Sequence, residues 1–179
     1  MGNFYTNVTL RGPEQDEVLG ALSGRKAFVS PRVNEYVLVY DERSEDQDKE
    51  VFRLATSLTR RFACLALAVL NHDDDVLWIR LYRSGAMIDE YLSDPGWPDN
   101  DRAPPRGGDS TLWAKSFGRG DPASIERILR GDYDLEFQRH RALVAELGLP
   151  VESCGWGFKY IVNGGSKAPF FSTGLKKTF

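Results

Sequence analysis

The chain has 179 residues, of which 41% are hydrophobic and 27% are charged. These proportions are typical of a globular protein and exclude wholesale disorder or a fibrous chain. The formal net charge of −3 argues against a dedicated nucleic-acid binder, because such domains usually carry a basic surface. The length suits one domain that buries its core without help from disulfides or metals.

No segment of the sequence resembles a membrane anchor. The longest uncharged apolar stretch, residues 63–70, is far shorter than the roughly 20 residues that a membrane-spanning helix needs. The N-terminus lacks the basic and apolar regions of a secretory signal. Cys64 and Cys154 lie far apart among small or apolar residues, which favours two reduced, buried thiols over a disulfide. We therefore expect a cytoplasmic protein without a membrane segment.

Strands and helices alternate in the first part of the chain. A short strand at 8–10 leads into a helix that begins at Pro13, and two β-rich runs, 26–30 and 36–40, predict an antiparallel hairpin. Residues 44–64 carry the clearest helix pattern, with apolar side chains at intervals of three and four. The sequence does not decide the first residue of this helix. Ser44 with Gln47 forms a suitable capping box, and Asp46 or Asp48 is an alternative cap.

Three strands complete the predicted sheet. Residues 65–70 form a continuous apolar run that predicts a strand buried on both faces, and alternating patterns follow at 76–83 and 87–92. This order predicts an α+β fold with a ferredoxin-like β-α-β-β-α-β core that is extended by a β-hairpin.

The second part of the chain begins with a change of composition. Residues 93–110 are rich in Asp, Pro and Gly and predict a long loop. Helices are predicted at 111–117, after the Asp121 cap, and at 135–147, followed by a final strand at 157–162. The tail, 166–179, is expected to be loosely ordered unless its aromatic rings dock on the body. We expect a single domain, 1–179, made of the sheet unit 1–92, the loop 93–110, the helical region 111–165 and the tail.

A surplus of aromatic residues gives the best indication of a binding surface. We expect Trp78, Tyr82 and Tyr91 to lie on the sheet face opposite the first two helices, where the C-terminal helices cover them as a second core. The alternative is a cleft beside the Pro-rich loop, lined by Trp97 and acidic side chains and suited to a small ligand or peptide.

The segment from His72 to Asp75 is the densest group of metal-ligand types. His72, Asp73 and Asp75 are weak candidates for a divalent cation, since carboxylate oxygens bind Ca²⁺ and Mg²⁺. The glycine and glutamate of an EF-hand loop are missing, so a solvated acidic turn is favoured. No cofactor is indicated.

Two further groups have both a functional and a structural interpretation. Arg127 and Arg130 share a helix face and, with Arg139 or Arg141, would form a patch for an anion or an acidic partner, although the acidic residues between them favour an ordinary solvated face. His140 is expected to pack against a neighbouring helix, because neither cysteine lies in a nucleophile motif.

The opening Met-Gly-Asn-Phe-Tyr-Thr-Asn segment, together with residues 70–78 and 89–96, resembles a group of uncharacterised bacterial proteins. The resemblance implies a bacterial origin and carries no activity or site. We therefore expect a non-catalytic interaction or regulatory module that binds another protein. The alternatives are a domain that senses a small ligand or divalent metal, and an enzyme with a site near the 93–110 loop.

Overall fold

The computed structural model describes residues 2–46, 49–98, 103–165 and 174–179. Within these residues it confirms the α+β class, with eight antiparallel strands in one sheet and six helices. The strands are β1 (Tyr5–Arg11), β2 (Ala27–Val29), β3 (Tyr36–Asp41), β4 (Leu65–His72), β5 (Val76–Arg83), β6 (Ala86–Leu92), β7 (Arg106–Gly107) and β8 (Lys176–Lys177). The helices are α1 (Gln15–Ala21), α2 (Glu50–Phe62), α3 (Ser110–Phe117), α4 (Pro122–Arg130), α5 (Glu136–Leu147) and α6 (Phe158–Tyr160).

The strands lie in the order β7-β6-β5-β4-β1-β3-β2-β8. The first strand is therefore central, and its Thr9 pairs with Leu67 of β4 on one side and with Leu38 of β3 on the other. Two-residue strands close both edges of the sheet. Because they are short and carry Arg106 and two lysines, these edges disfavour pairing with a further strand.

One face of the sheet is covered by α1 and α2. Val18 of α1 and Val51, Ala55 and Leu58 of α2 pack in one buried cluster with side chains from β1 to β5. The five-residue 3-10 turn Glu42–Asp46 precedes α2. Ser44 donates from its N–H and hydroxyl to Asp41, so it fixes this turn and does not cap α2. Asp46 is the last residue of the same turn, and the residue that precedes the first turn of α2 is Lys49. Gln47, the expected capping-box partner of Ser44, and the alternative cap Asp48 lie outside the described residues.

The C-terminal helices cover the other face, as expected. Trp113, Leu129 and Leu143, from three different helices, share a buried cluster with Leu67 of β4 and Ile79 of β5. Helices from the second part of the chain and strands from the first therefore share one core. None of the helices in the described residues is long and apolar enough to cross a membrane.

Two sequence-based expectations about this second face are wrong. Trp78 and Tyr82 lie on the α2 face with Phe52, whereas Tyr91 lies under the C-terminal helices as predicted. The side chains of β5 alternate between the two faces of the sheet, as predicted. Alternation alone does not say which set of side chains packs against which layer of helices. The apolar set containing Leu77 packs under the C-terminal helices.

The predicted final strand at 157–162 is also wrong. This segment forms α6 and then a π-helical turn, Ile161–Gly165. Phe158 and Ile161 are three residues apart and pack together with Leu38 and Tyr40, a spacing that suits helical turns rather than a strand. In the tail, β8 pairs with β2, and the Phe179 ring contacts Phe28, so the described end of the chain docks on the body.

A buried ion pair joins α4, α5 and the sheet. Arg139 is 1% exposed, and its guanidinium donates to the Glu136 carboxylate at 2.7 Å. It also donates to the carbonyls of Ile128 and Leu129 at the end of α4, at 2.9 and 2.8 Å. The Tyr91 hydroxyl donates to the same Leu129 carbonyl at 2.8 Å. Arg139 therefore acts as a C-terminal cap for α4 as well as a partner for Glu136.

We predict that Arg139→Met lowers the free energy of unfolding by about 3–5 kcal/mol, because it leaves the Glu136 charge buried without its partner. Urea denaturation at neutral pH measures this loss. The control is Arg127→Met on the exposed face of α4, for which we expect a change below about 0.5 kcal/mol. Equal losses in the two variants would contradict the role assigned to Arg139.

Candidate functional site

The tight turn between β4 and β5 anchors the N-terminal segment. Asp73 and Asp74 adopt positive φ angles of 51° and 60° in this turn. The Gly2 N–H donates to the Asp73 carboxylate at 2.7 Å. A side chain at Gly2 would collide with the Asp73 carbonyl, because a Cβ there would lie 1.9 Å from that oxygen. The backbone at position 2 therefore lies so close to this turn that only glycine fits there.

Asp74 holds this arrangement from the inside. It is 4% exposed, and its carboxylate accepts from the Asn3 N–H at 2.9 Å and from the Asn3 amide at 2.8 Å. Its second oxygen accepts from the Asn71 amide at 2.8 Å. The Asp74 carbonyl accepts from the Glu136 N–H at the start of α5. One residue thus joins the N-terminus, the turn and α5.

Two depressions lie on either side of this turn. The first has a volume of about 520 Å³ and is lined by Gly2, Asn3, Phe4, Glu45, Asp46, His72, Lys159, Tyr160 and Asn163. The second, about 220 Å³, is lined by Asp74, Asp75, Asp94, Trp97 and Asp134. We call the surface formed by these two sets of residues the acidic end.

Aromatic rings connect the two depressions. The His72 ring lies between Phe4 and Trp97, with centroid distances of 4.9 and 4.6 Å. Phe4, Trp97 and Tyr160 are 48%, 41% and 45% exposed. Large rings in such positions are typical of contact surfaces, since they give a large contact area at low entropic cost.

The charge of the acidic end is mostly negative. Among the described residues, Asp46, Asp75, Asp94 and Asp134 form no ion pair. Among the described residues that line the two depressions, Lys159 is the one lysine or arginine. The surface therefore attracts cations.

Glu45 differs from these surface carboxylates. It is 7% exposed, and its carboxylate accepts from the Phe158 N–H at 2.7 Å, which fixes the start of α6. Burial raises the pKa of Glu45, and the hydrogen bond from Phe158 partly offsets that rise. Gly157 packs against the same carboxylate. The first depression thus has one structural and one solvent-facing acid, Glu45 and Asp46.

The predicted cation ligands His72, Asp73 and Asp75 are not arranged around a common point. Among the described residues, no group of three or more His, Cys, Asp or Glu side chains is close enough to hold a metal ion. The Asp73 carboxylate binds the Gly2 N–H instead, and the His72 ring packs between two aromatic rings.

The predicted aromatic binding residues are divided between core and surface. Tyr82 and Tyr91 are 3% and 0% exposed, and the half-buried Trp78 donates from its indole to Glu90 at 3.0 Å. Trp97 lies at the acidic end, beside Asp94 as the cleft hypothesis expected. Tyr91 is thus in the buried setting that we favoured and Trp97 is in the alternative cleft setting, whereas Trp78 and Tyr82 are in neither.

The predicted arginine patch does not form as a unit. Arg127 donates to Ser124, and Arg130 pairs with Glu126 and donates to the Gly107 carbonyl of the edge strand. Arg139 is buried in the ion pair described above, so it cannot join a surface patch. The arginines of α4 therefore hold local structure.

His140 packs in the core, as expected. It is fully buried, and its Nδ1 lies 2.7 Å from the Tyr5 hydroxyl, which is 4.0 Å from the Cys154 sulfur. Burial lowers the pKa of His140 to about 3 and raises the pKa of Cys154 to about 12. A thiol and an imidazole with these values are a poor nucleophile and a poor base at neutral pH.

Several residues of the acidic end were missed by sequence reasoning. Phe4, Glu45 and Tyr160 come from three distant parts of the chain, and none of them belongs to a motif. Comparison of the chain with protein-family models, curated proteins and solved structures finds no match.

We predict that Asp74→Asn lowers the free energy of unfolding by about 2 kcal/mol, because an amide replaces one carboxylate oxygen and turns an acceptor into a donor. Asparagine tolerates the positive φ at this position, so the backbone itself is not strained. Hydrogen exchange of the Asn3 amide should accelerate in this variant. The control is the exposed neighbour in Asp75→Asn; unchanged exchange at Asn3 in Asp74→Asn would contradict the anchoring role.

A second prediction concerns the acid stability of the fold. The folded-state pKa of His140, about 3, lies below its ordinary value of 6.5, so the unfolded chain binds a proton that the folded chain does not. Lowering the pH from 7 to 5 should therefore remove roughly 2 kcal/mol of stability through this group. Urea denaturation at both pH values measures the loss.

The control for this prediction is His140→Gln. The raised pKa of Glu45 acts in the opposite sense, since its folded form gains a proton more readily than its unfolded form as the pH falls. Wild type and variant share Glu45, so the difference between their pH slopes isolates His140. Identical slopes would show that His140 is protonated in the folded state.

Proposed function

We propose that this protein is a non-catalytic interaction module of a bacterial cell, and that its acidic end binds a basic surface of another protein. The observation that carries the proposal is a group of acids beside exposed aromatic rings. Asp46, Asp75 and Asp134 form no ion pair with any described residue, and neither does Asp94, whose carboxylate accepts from the N–H groups of Gly96 and Ala103. The bacterial setting rests on the resemblance of the N-terminal segment.

Charge and shape both support a protein partner. The two depressions lie on either side of one turn, so the acids spread over a surface rather than converging on one ion. Interfaces of moderate size combine buried aromatic anchors with a charged rim that steers the partner and sets its orientation. Phe4, Trp97 and Tyr160 are suited to be the anchors, and the aspartates are suited to be the rim.

The turn at the acidic end is rigid, which favours binding without a large change of shape. Asp74 holds Asn3, Asn71 and the start of α5 by hydrogen bonds of normal length. A surface that is fixed before binding loses little conformational entropy when the partner docks.

We also propose a ferredoxin-like core and a cytoplasmic location. The order β4-β1-β3-β2, with α1 and α2 on one face, supports the first proposal, because it is the order expected of a split β-α-β arrangement. Cys64 and Cys154 are both free and buried, which suits a reducing compartment.

The test of the proposed function is the triple variant Asp46→Asn, Asp75→Asn, Asp134→Asn. The immobilised wild-type protein captures partners from the lysate of a bacterial host at low salt, and each captured protein is then purified for calorimetry. We expect a basic partner whose Kd rises about tenfold or more in the variant, since three exposed charge pairs contribute roughly 1–3 kcal/mol together. The wild-type Kd should also rise with salt.

The matched control also removes three negative charges, through Asp16→Asn, Glu35→Gln and Glu126→Gln elsewhere on the surface. If the control weakens binding as much as the triple variant does, the interaction depends on net charge and the acidic end is not the site. Trp97→Ala tests the aromatic anchor in the same assay, and an unchanged Kd would remove that residue from the interface.

A further inference from the structure

A third depression, which shares no lining residue with the acidic end, is formed by α5 and by residues in and just after the 3-10 turn Val151–Ser153. It has a volume of about 510 Å³ and is lined by Phe137, Arg141, Val144, Ala145, Val151 and Cys154. This volume is within the usual range for small-molecule sites. The proposed protein-binding function does not use this cavity.

The walls of this cavity are mainly apolar. Val144 is buried, Phe137 is half-buried, and Val151 is 73% exposed at the rim. An exposed valine beside an open apolar wall leaves hydrophobic surface in water, and an apolar chain bound there would cover it. Cys154 closes the inner side, where its sulfur donates to the Phe137 carbonyl and its raised pKa keeps it neutral.

Arg141 places one positive charge on this apolar cavity. Among the described residues, its guanidinium forms no ion pair, in contrast to Arg130 and Arg139 of the neighbouring region. Among the described residues, no acidic side chain lines the cavity. An apolar cavity with one free guanidinium matches a molecule that has an apolar tail and a single anionic head.

We propose that this cavity binds a small amphipathic carboxylate, with its apolar tail against Phe137, Val144 and Val151 and its carboxylate on Arg141. A carboxylate can accept two parallel hydrogen bonds from a guanidinium, so Arg141 selects this head group over an alcohol or an amine. The buried volume suits a medium-length chain rather than a long lipid.

Sodium octanoate is the probe, and calorimetry together with methyl NMR is the measurement. We expect saturable binding to the wild-type protein, with the largest shifts at the methyl groups of Val144, Ala145 and Val151. Octanol should bind at least about tenfold more weakly, because it lacks the charge-assisted hydrogen bonds, and octylamine should not bind.

Two variants test the two parts of the site. Arg141→Gln should weaken octanoate binding about tenfold and bring it to the level of octanol. Ala145→Phe fills the cavity from an exposed position on α5, so it should fold normally and abolish binding of both ligands. Arg127→Gln, which removes an exposed arginine from α4, is the control and should bind octanoate as the wild type does.

The proposal fails if octanoate gives no saturable binding, or if its shifts lie outside the cavity. It also fails if octylamine binds as tightly as octanoate, or if Arg141→Gln has no effect, because the guanidinium would then select nothing. Unchanged binding to a folded Ala145→Phe variant would place the ligand elsewhere.

Discussion

The acidic end depends on one buried carboxylate. Asp74 has no cation among its hydrogen-bond partners, and amide groups of Asn3 and Asn71 compensate its charge instead. A buried carboxylate is costly unless several donors surround it, and here the donors come from segments that are far apart in sequence. The charge can be buried only when the N-terminal segment and the turn are both in place. Because the Asp74 carbonyl also accepts from Glu136, the start of α5 is set by the same residue.

The opposite side of the first depression depends on the polar residues of the central strand. Asn7 of β1 donates from its amide to the carbonyls of Ser153 and Trp156, and so holds the segment that leads into α6. Glu45 then fixes the first turn of α6 by accepting from Phe158. These contacts place Lys159 and Tyr160 across from the N-terminal segment. Hydrogen bonds from the central strand and from Glu45 therefore shape this side of the first depression.

Sequence reasoning predicted the elements far better than it predicted the site. The apolar run at 65–70 gives a strand that is buried on both faces. Asp121 caps the start of α4 and Gly148 ends α5, as their residue types indicate. These features depend on local geometry, which a single sequence shows directly. The faces occupied by Trp78 and Tyr82 depend on which helices meet the sheet, and periodicity holds no information about that choice. The acidic end was harder still, because Glu45 and Tyr160 are brought together only by tertiary contacts.

The unpaired acids of the acidic end work against the stability of the isolated protein. Like charges on neighbouring loops repel one another. An arginine in place of Asp75 or Asp134 would relieve that repulsion, because it would form ion pairs like those of Glu35 and Glu126. The proposed basic partner would remove the same repulsion on binding. Its relief would increase the affinity, and the opposite charges would increase the association rate. The concentration of one charge beside exposed aromatic rings therefore supports the proposal that this surface recognises a basic partner.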